Sequence, residues 1–195
     1  GADFVEDAHA ARAVLSVVND DEKRTRTFGS PGVPVNDTVR ALRAVAKHYR
    51  LLFDGNVIAV TGTSGKTTTK EMMLSVLATK WAVHGTKGNF NNKIGLPLSI
   101  FGLEKHHDCA VFELGMSAPG EIGYLADITK PDTGVILNVG AGHAEFFRSI
   151  EEIAEAKMEL VSEIHPAGTL LINGDDTLLR PALRRSKARV ALFGF

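Results

Sequence analysis

The run VIAVTGTSGKTTTK, Val57 to Lys70, carries a chemistry in its residue types. Gly65, Lys66 and Thr67 supply the end of the phosphate-loop pattern G-x-x-x-x-G-K-[ST]. Its first glycine would fall at Val60, and a glycine stands at Gly62 instead. The setting still suits the motif: an apolar strand, a glycine-bearing turn, then Lys-Thr opening a helix. Helix N-terminal N–H groups and the helix dipole attract phosphate, and Gly62 and Gly65 let the backbone turn its amides inward. Lys66 is placed to reach the β/γ-phosphates and Thr67 to hold Mg²⁺ through its hydroxyl. Thr68 and Thr69 support the helix start.

Three further residues extend this chemistry. CAVFELG is an apolar strand ending in Glu113, the place for a carboxylate that binds Mg²⁺ beside the phosphates. LNVGAGHAEFF sets His143 just after another strand, where an imidazole can ligate a metal or orient a phosphate. A lone loop histidine carries little by itself. In SIEEIAEAKMELVSEI, Lys157 falls on the apolar face that Ile150, Ile153, Ala154, Leu160, Val161 and Ile164 define. A lysine there either snorkels outward or loses its proton as burial lowers its pKa. The helix alone favours snorkelling. A neutral amine would add CO₂ to give a carbamate, turning a cation into a carboxylate-like ligand.

The elements that must position these groups follow from pattern. Phe4–Arg12 reads as a helix, Ala13–Val18 as a short strand, and Asn19–Pro34 as a polar loop. VNDTVRALRAVAKHYRLLF reads as an amphipathic helix, with Asp37 or Asn36 as cap. Asp54-Gly55-Asn56 breaks the pattern, and a domain boundary is placed there: 1–54, then 55–195. Beyond it strands alternate with helices. Strands are expected at Val57–Thr61, Trp81–His84, Ala110–Leu114, Thr133–Asn138, Thr169–Ile172 and Arg189–Phe193. Helices are expected at Thr67–Thr79, Gly95–Phe101, Pro119–Ile128 (Pro119 in the first turn), Ser149–Ile164 and Leu178–Ser186. The alternation predicts an α/β fold, a mostly parallel sheet covered by helices on both faces.

Composition narrows the partners. The 195 residues are 44% hydrophobic and 23% charged, with a net charge of −1, which is ordinary globular usage. No basic excess asks for nucleic acid, no apolar run is long enough for a membrane span, and no signal-peptide pattern opens the chain. Cys109 is the single cysteine, so no intramolecular disulfide forms; in CAVFEL it reads as a buried thiol. His106-His107-Asp108-Cys109 reads as a polar turn before a strand. Arg180, Arg184, Arg185, Lys187 and Arg189 read as a solvated basic face.

The blocks TGTSGKTT, GNFNNKIGLPLS, ELGMSAPGEIGYL, ILNVGAGHAEFF and IAEAKMEL resemble, in order and spacing, signature blocks of the Mur ligases, relatives of the folylpolyglutamate synthetases. The likeness is strong from Val57 to Leu160 and weaker over the first 50 residues. E-L-G-M-S-x-x-G-E-I resembles the member that joins D-Ala-D-Ala to UDP-MurNAc-tripeptide. The resemblance implies ATP-dependent amide ligation through an acyl phosphate, in peptidoglycan precursor synthesis in a bacterial cytoplasm, by a monomer.

It also implies roles. Gly62, Thr63, Ser64, Gly65, Lys66, Thr67 and Thr68 would hold ATP. Thr67, Glu113, His143 and a carbamylated Lys157 would hold two Mg²⁺ ions. Lys66, Glu113, His143 and Lys157 would be catalytic, and the resemblance reverses the snorkelling preference at Lys157. Asn91 and Asn92 would lie near ATP and substrate. Asn173 in NGDD would lie near the adenine. Residues 1–54 would be part of a UDP-substrate-binding domain and 55–195 an incomplete ATP-binding central domain, with no C-terminal domain, so the piece alone is expected to be inactive as a ligase.

Departures from the family pattern are Gly142 and Ala144 flanking His143, where alanine and leucine are usual, and Arg148, where glycine is usual. Competing readings are another Mur-type ligase or folylpolyglutamate synthetase, a P-loop kinase or NTPase, and a non-catalytic ATP-binding module.

Overall fold

A computed structural model describes residues 4–20, 32–142 and 146–195. Contacts divide the chain into two compact units, Gly1–Val45 and Ala46–Phe195. The smaller holds helix α1 (Val5–Ala10), strands β1 (Ser16–Asn19) and β2 (Gly32–Val35), and the start of helix α2 (Thr38–Leu51). β1 and β2 pair in parallel, so the end of the expected loop is a strand. Pro34 misled the pattern: it lacks an N–H, and a two-stranded ribbon has free edges where that costs no ladder bond. Asp37 caps α2 as expected, its Oδ1 accepting from the N–H groups of Val39 and Arg40.

The larger unit continues with β3 (Asn56–Thr61), α3 (Lys66–Leu77), β4 (Val83–Gly85), α4 (Gly95–Ile100), β5 (Cys109–Glu113), α5 (Glu121–Thr129) and β6 (Thr133–Ile136). Then come α6 (Ile150–Met158), β7 (Thr169–Asn173), α7 (Arg180–Arg185) and β8 (Arg189–Phe193). The six strands form one parallel sheet in the order β4-β5-β3-β6-β7-β8. This is the expected α/β architecture.

Alternation along β3 divides its side chains between two cores. Val57 and Ala59 join Phe112, Ile136 and Leu170 under α4, α5 and α6. Val60, Val111 and Val135 pack on the other face against Met73, Leu74 and Leu77 of α3. Both faces are therefore buried, as a parallel sheet requires.

Two helices differ from the pattern's expectation. Pro119 precedes the N-cap Gly120 rather than sitting in the first turn of α5; Gly120 is left-handed (φ 83°) and the helix begins at Glu121, two residues after the expected start. The expected helix Ser149–Ile164 is α-helical only to Met158, then tightens into a 3₁₀ turn over Glu159–Glu163. Its start is legible: Ser149 Oγ accepts from Glu152 N–H, and Glu152 accepts from the Arg148 N–H.

Strand order fixes where a ligand can sit. The chain leaves β3, adds β4 and β5 on one side, then crosses to β6 on the other. That reversal opens a crevice at the carboxyl end of β3, the usual ligand position in such sheets. Among the described residues no helix is long and apolar enough to cross a membrane.

Candidate active site

A cavity of about 480 Å³ occupies that crevice. Thr63 to Thr68 line one side; Asn91, Asn92, Glu113, Gly115, Met116, Ser117 and Glu121 line the other. The loop after β3 turns into α3 through Gly65, left-handed at φ 78°. Among the described residues, the N–H groups of Lys66, Thr67 and Thr68 find no acceptor within the protein. They are the open donors of a helix start, on residues that line the cavity. Gly62 is required by close approach: a Cβ there would lie 2.9 Å from Leu137 Cβ.

Asn138 at the end of β6 holds the loop. Its Oδ1 accepts from Thr63 N–H (3.1 Å) and Ser64 N–H (3.0 Å), and its Nδ2 donates to the Ser64 carbonyl (3.1 Å). Thr63 Oγ1 accepts from Gly140 N–H at 2.9 Å. Sequence reasoning passed over Asn138, though an asparagine between an apolar strand and a glycine-rich turn was the available signal.

Lys66 Nζ donates to the carbonyls of Gly62 (2.9 Å) and Thr63 (3.2 Å). Burial lowers its pKa, and the nearby Glu113 carboxylate opposes that. Glu113 is 2% exposed. Its Oε2 accepts from Thr67 Oγ1 and its Oε1 from Asn91 Nδ2, both at 2.7 Å. Its own N–H donates to Thr86 Oγ1, and the Thr86 carbonyl accepts from the fully buried Lys70. Thr86 and Lys70, also missed in sequence, brace the strand end that presents Glu113.

Lys157 is 1% exposed, so it does not snorkel. Among the described residues nothing accepts from its amine. Burial, and then the Lys66 charge, lower its pKa to about 8. It does not line the cavity, but the Lys66 charge reaches it. Asn92 caps α4, its Oδ1 accepting from Ile94 and Gly95 N–H. Asn173 is not brought to this cavity. It lines another with Asp176 and Arg180 at the ends of β7 and β8, where its Oδ1 accepts from Asp175 N–H. His143 lies outside the described residues.

The arrangement suits Mg²⁺. A hydroxyl and a carboxylate, both hard oxygen donors, touch on the cavity lining. Among the described residues no group of three His, Cys, Asp or Glu could hold a metal alone. A two-ligand set matches a cation that keeps waters and takes phosphate oxygens.

A family model described as the Mur ligase middle domain matches residues 60–195. The chain is similar to the UDP-N-acetylmuramoyl-tripeptide–D-alanyl-D-alanine ligase of Bacillus subtilis (strain 168), 43% identical over 93% of this chain and 40% of that one. Crystal structure I of MurF from Acinetobacter baumannii superposes with a TM-score of 0.90 at 32% identity, covering 99% of this chain and 42% of that one. The crystal structure of MurF ligase from Thermotoga maritima in complex with ADP gives 0.88 at 36% identity, covering 98% and 44%. The chain thus spans about two fifths of the length of that curated relative.

Proposed function

The chain belongs to the Mur ligase family, and from that premise we propose that it is the ATP-binding core of a ligase joining D-Ala-D-Ala to UDP-MurNAc-tripeptide. The observation carrying this is the facing of two walls in one cavity. Open helix-start amides stand on one side; Glu113, Asn91 and Asn92 stand on the other. The B. subtilis ligase and the ADP-bound T. maritima enzyme support the substrates and the nucleotide.

In this reading an oxygen of the tripeptide carboxylate attacks the γ-phosphorus, and the bond to the β-phosphate oxygen breaks, releasing ADP. The D-Ala-D-Ala amine then adds to the acyl carbon. The tetrahedral intermediate expels phosphate, and the amine's proton leaves to solvent. Two anions must meet first, so the chain's work is binding and charge control. The amides of Lys66, Thr67 and Thr68 hold the phosphates. Lys66 exchanges the Gly62 and Thr63 carbonyls for phosphate oxygens. Asn91 orients Glu113, and Asn92 keeps the facing helix start in place.

Thr67 and Glu113, with His143 and a carbamylated Lys157, would hold two Mg²⁺ ions. When bound, Mg²⁺ screens phosphate charge and stabilises the charge that develops during transfer. The depressed pKa of Lys157 supports carbamylation: the free amine attacks CO₂, an N–C bond forms, and a proton leaves. Asn173 would contact the adenine. Residues 1–54 would belong to a UDP-substrate-binding domain and 55–195 to the central domain of a cytoplasmic monomer. A plain kinase or NTPase gives the buried Lys157 amine no role, which favours the ligase.

The test is phosphate release from Mg-ATP by the full-length protein, with each substrate alone and both together, beside Lys157→Ala. The expected result is release that needs both substrates, a pentapeptide product confirmed by mass, and loss in the variant. Release indifferent to the amine would overturn the reading.

A further inference from the structure

The wall facing the phosphate loop owes its shape to two carboxylates, one of them from a distant element. The segment Ser117–Gly120 runs from the cavity to the start of α5. Glu121 folds back on it, its Oε2 accepting from Ser117 N–H (2.6 Å) and Ala118 N–H (3.2 Å). Its Oε1 pairs with Lys93 at 2.9 Å. Pro119 has no N–H. The remaining N–H, of Gly120, donates to Glu159 Oε1 at 2.7 Å, and Gly123 N–H donates to Glu159 Oε2 at 2.9 Å. Every main-chain donor of the segment is therefore held by a carboxylate.

Glu159 comes from the point where α6 becomes a 3₁₀ turn, two residues after Lys157. Its two oxygens hold amides three residues apart at the N-terminus of α5, where negative charge is also favoured by the helix dipole. One short stretch thus buries the Lys157 amine and fixes the wall that carries Ser117. The phosphate loop is held separately, by Asn138.

We propose that Glu159 is a positioning residue for the carboxylate substrate: through Gly120 and Gly123 it sets the Ser117 wall, leaving the nucleotide side untouched. This rests on the ligase reading above. A carboxylate serves here and an amide does not, because Gln would turn an NH₂ donor toward one of two N–H donors.

The test uses Glu159→Gln, Glu159→Asp and Glu159→Ala in the full-length protein. In Glu159→Gln, KM for UDP-MurNAc-tripeptide is expected to rise about tenfold while KM for ATP stays within about twofold. Glu159→Asp, which keeps the charge with shorter reach, is expected to recover part of the loss that Glu159→Ala shows. Hydrogen exchange at the Gly120 and Gly123 amides is expected to quicken about tenfold in Glu159→Gln while β3 amides keep their protection. A fall in kcat with both KM values unmoved would make the contact merely structural and overturn the proposal. Unchanged exchange at Gly120 and Gly123 would do so too. Absence of ligation by the unsubstituted protein would instead sink the ligase reading, and this one with it.

Discussion

Thr67 Oγ1 donates to Glu113 Oε2 across 2.7 Å, tying the first turn of α3 to the carboxyl end of β5. The pair joins the loop side of the cavity to its opposite wall. Asn91 takes the other carboxylate oxygen, so Glu113 cannot turn away.

If this pair holds Mg²⁺, its loss should be felt in the metal-dependent part of nucleotide binding. Glu113→Gln keeps the shape and removes the charge. Mg-ATP affinity is expected to fall about tenfold or more, while binding of ATP without Mg²⁺ changes less than about threefold. Calorimetric titration with and without Mg²⁺ measures both. Equal losses in the two would remove the metal role.

The Asn138 side-chain amide bonds the main chain of the loop at Thr63 N–H, Ser64 N–H and the Ser64 carbonyl. Asn138→Ala leaves the Ser64 N–H and carbonyl to find water, while Thr63 N–H keeps the residue 138 carbonyl. Stability is expected to fall by about 0.5–1.5 kcal/mol, with weaker ATP binding as the loop loosens. Asn138→Asp separates the two effects. It keeps the acceptors for Thr63 and Ser64 but loses the donor and adds a negative charge. Its stability should lie closer to the unsubstituted chain than that of the alanine variant, while ATP binding suffers at least as much. Denaturant melts and nucleotide titrations check this.

The central sheet was legible because its strands are short apolar runs between turn residues, and because Lys66, Thr67 and Glu113 sit at strand and helix ends where the pattern is sharpest. The partners of those residues were not legible. Asn138, Thr86 and Lys70 act through contacts between elements far apart in the chain, which no local period encodes. β2 was missed because a proline in a polar run reads as loop unless its partner strand is known. The burial of Lys157 was half legible: the helical face put it inside, but only packing decided against snorkelling. Asn173 comes from the NGDD motif, and the fold sets it at the carboxyl end of β7, lining a second cavity.

Asp127 supplies a test of the scaffold by acid. It accepts from Lys47 at 2.8 Å and pairs with Lys130 at 2.8 Å. Burial raises its pKa, but the bonds and charges of Lys130 and Lys47 outweigh that and bring it from 3.8 to about 2. A lowered carboxylate pKa means the unfolded state binds more protons between those values. Its contribution is present above the unfolded pKa and fades as pH falls from there through the folded one. Both lysines are about two fifths exposed, so screening limits it to about 1 kcal/mol. Asp127→Asn should be less stable at pH 7 by about that amount. The gap should close as pH falls from about 4 to about 2. Denaturant midpoints at several pH values give the curve.

Lys157 has the opposite sign. Its pKa falls from 10.5 in the unfolded chain to about 8 in the fold, so the charged amine destabilises the native state at neutral pH. Below the folded value both states are protonated and the penalty is complete. It is relieved as pH rises through that value toward 10.5, where the unfolded state still holds the proton. Lys157→Met keeps the apolar stem and removes the charge. It should be more stable at pH 7 by about 1–2 kcal/mol, with the advantage shrinking steadily in alkali. Carbamylation would relieve the same penalty by another route, replacing a cation beside Lys66 with an anion. Labelled bicarbonate should then give a carbamate carbon signal in the unsubstituted chain, stronger as pH rises toward the amine's pKa, and absent in Lys157→Met. A variant no more stable than its parent at neutral pH would mean that the amine already has a compensating partner. A stabilised variant beside a parent without the carbamate signal would separate burial from modification and leave the lysine a charged neighbour of Lys66.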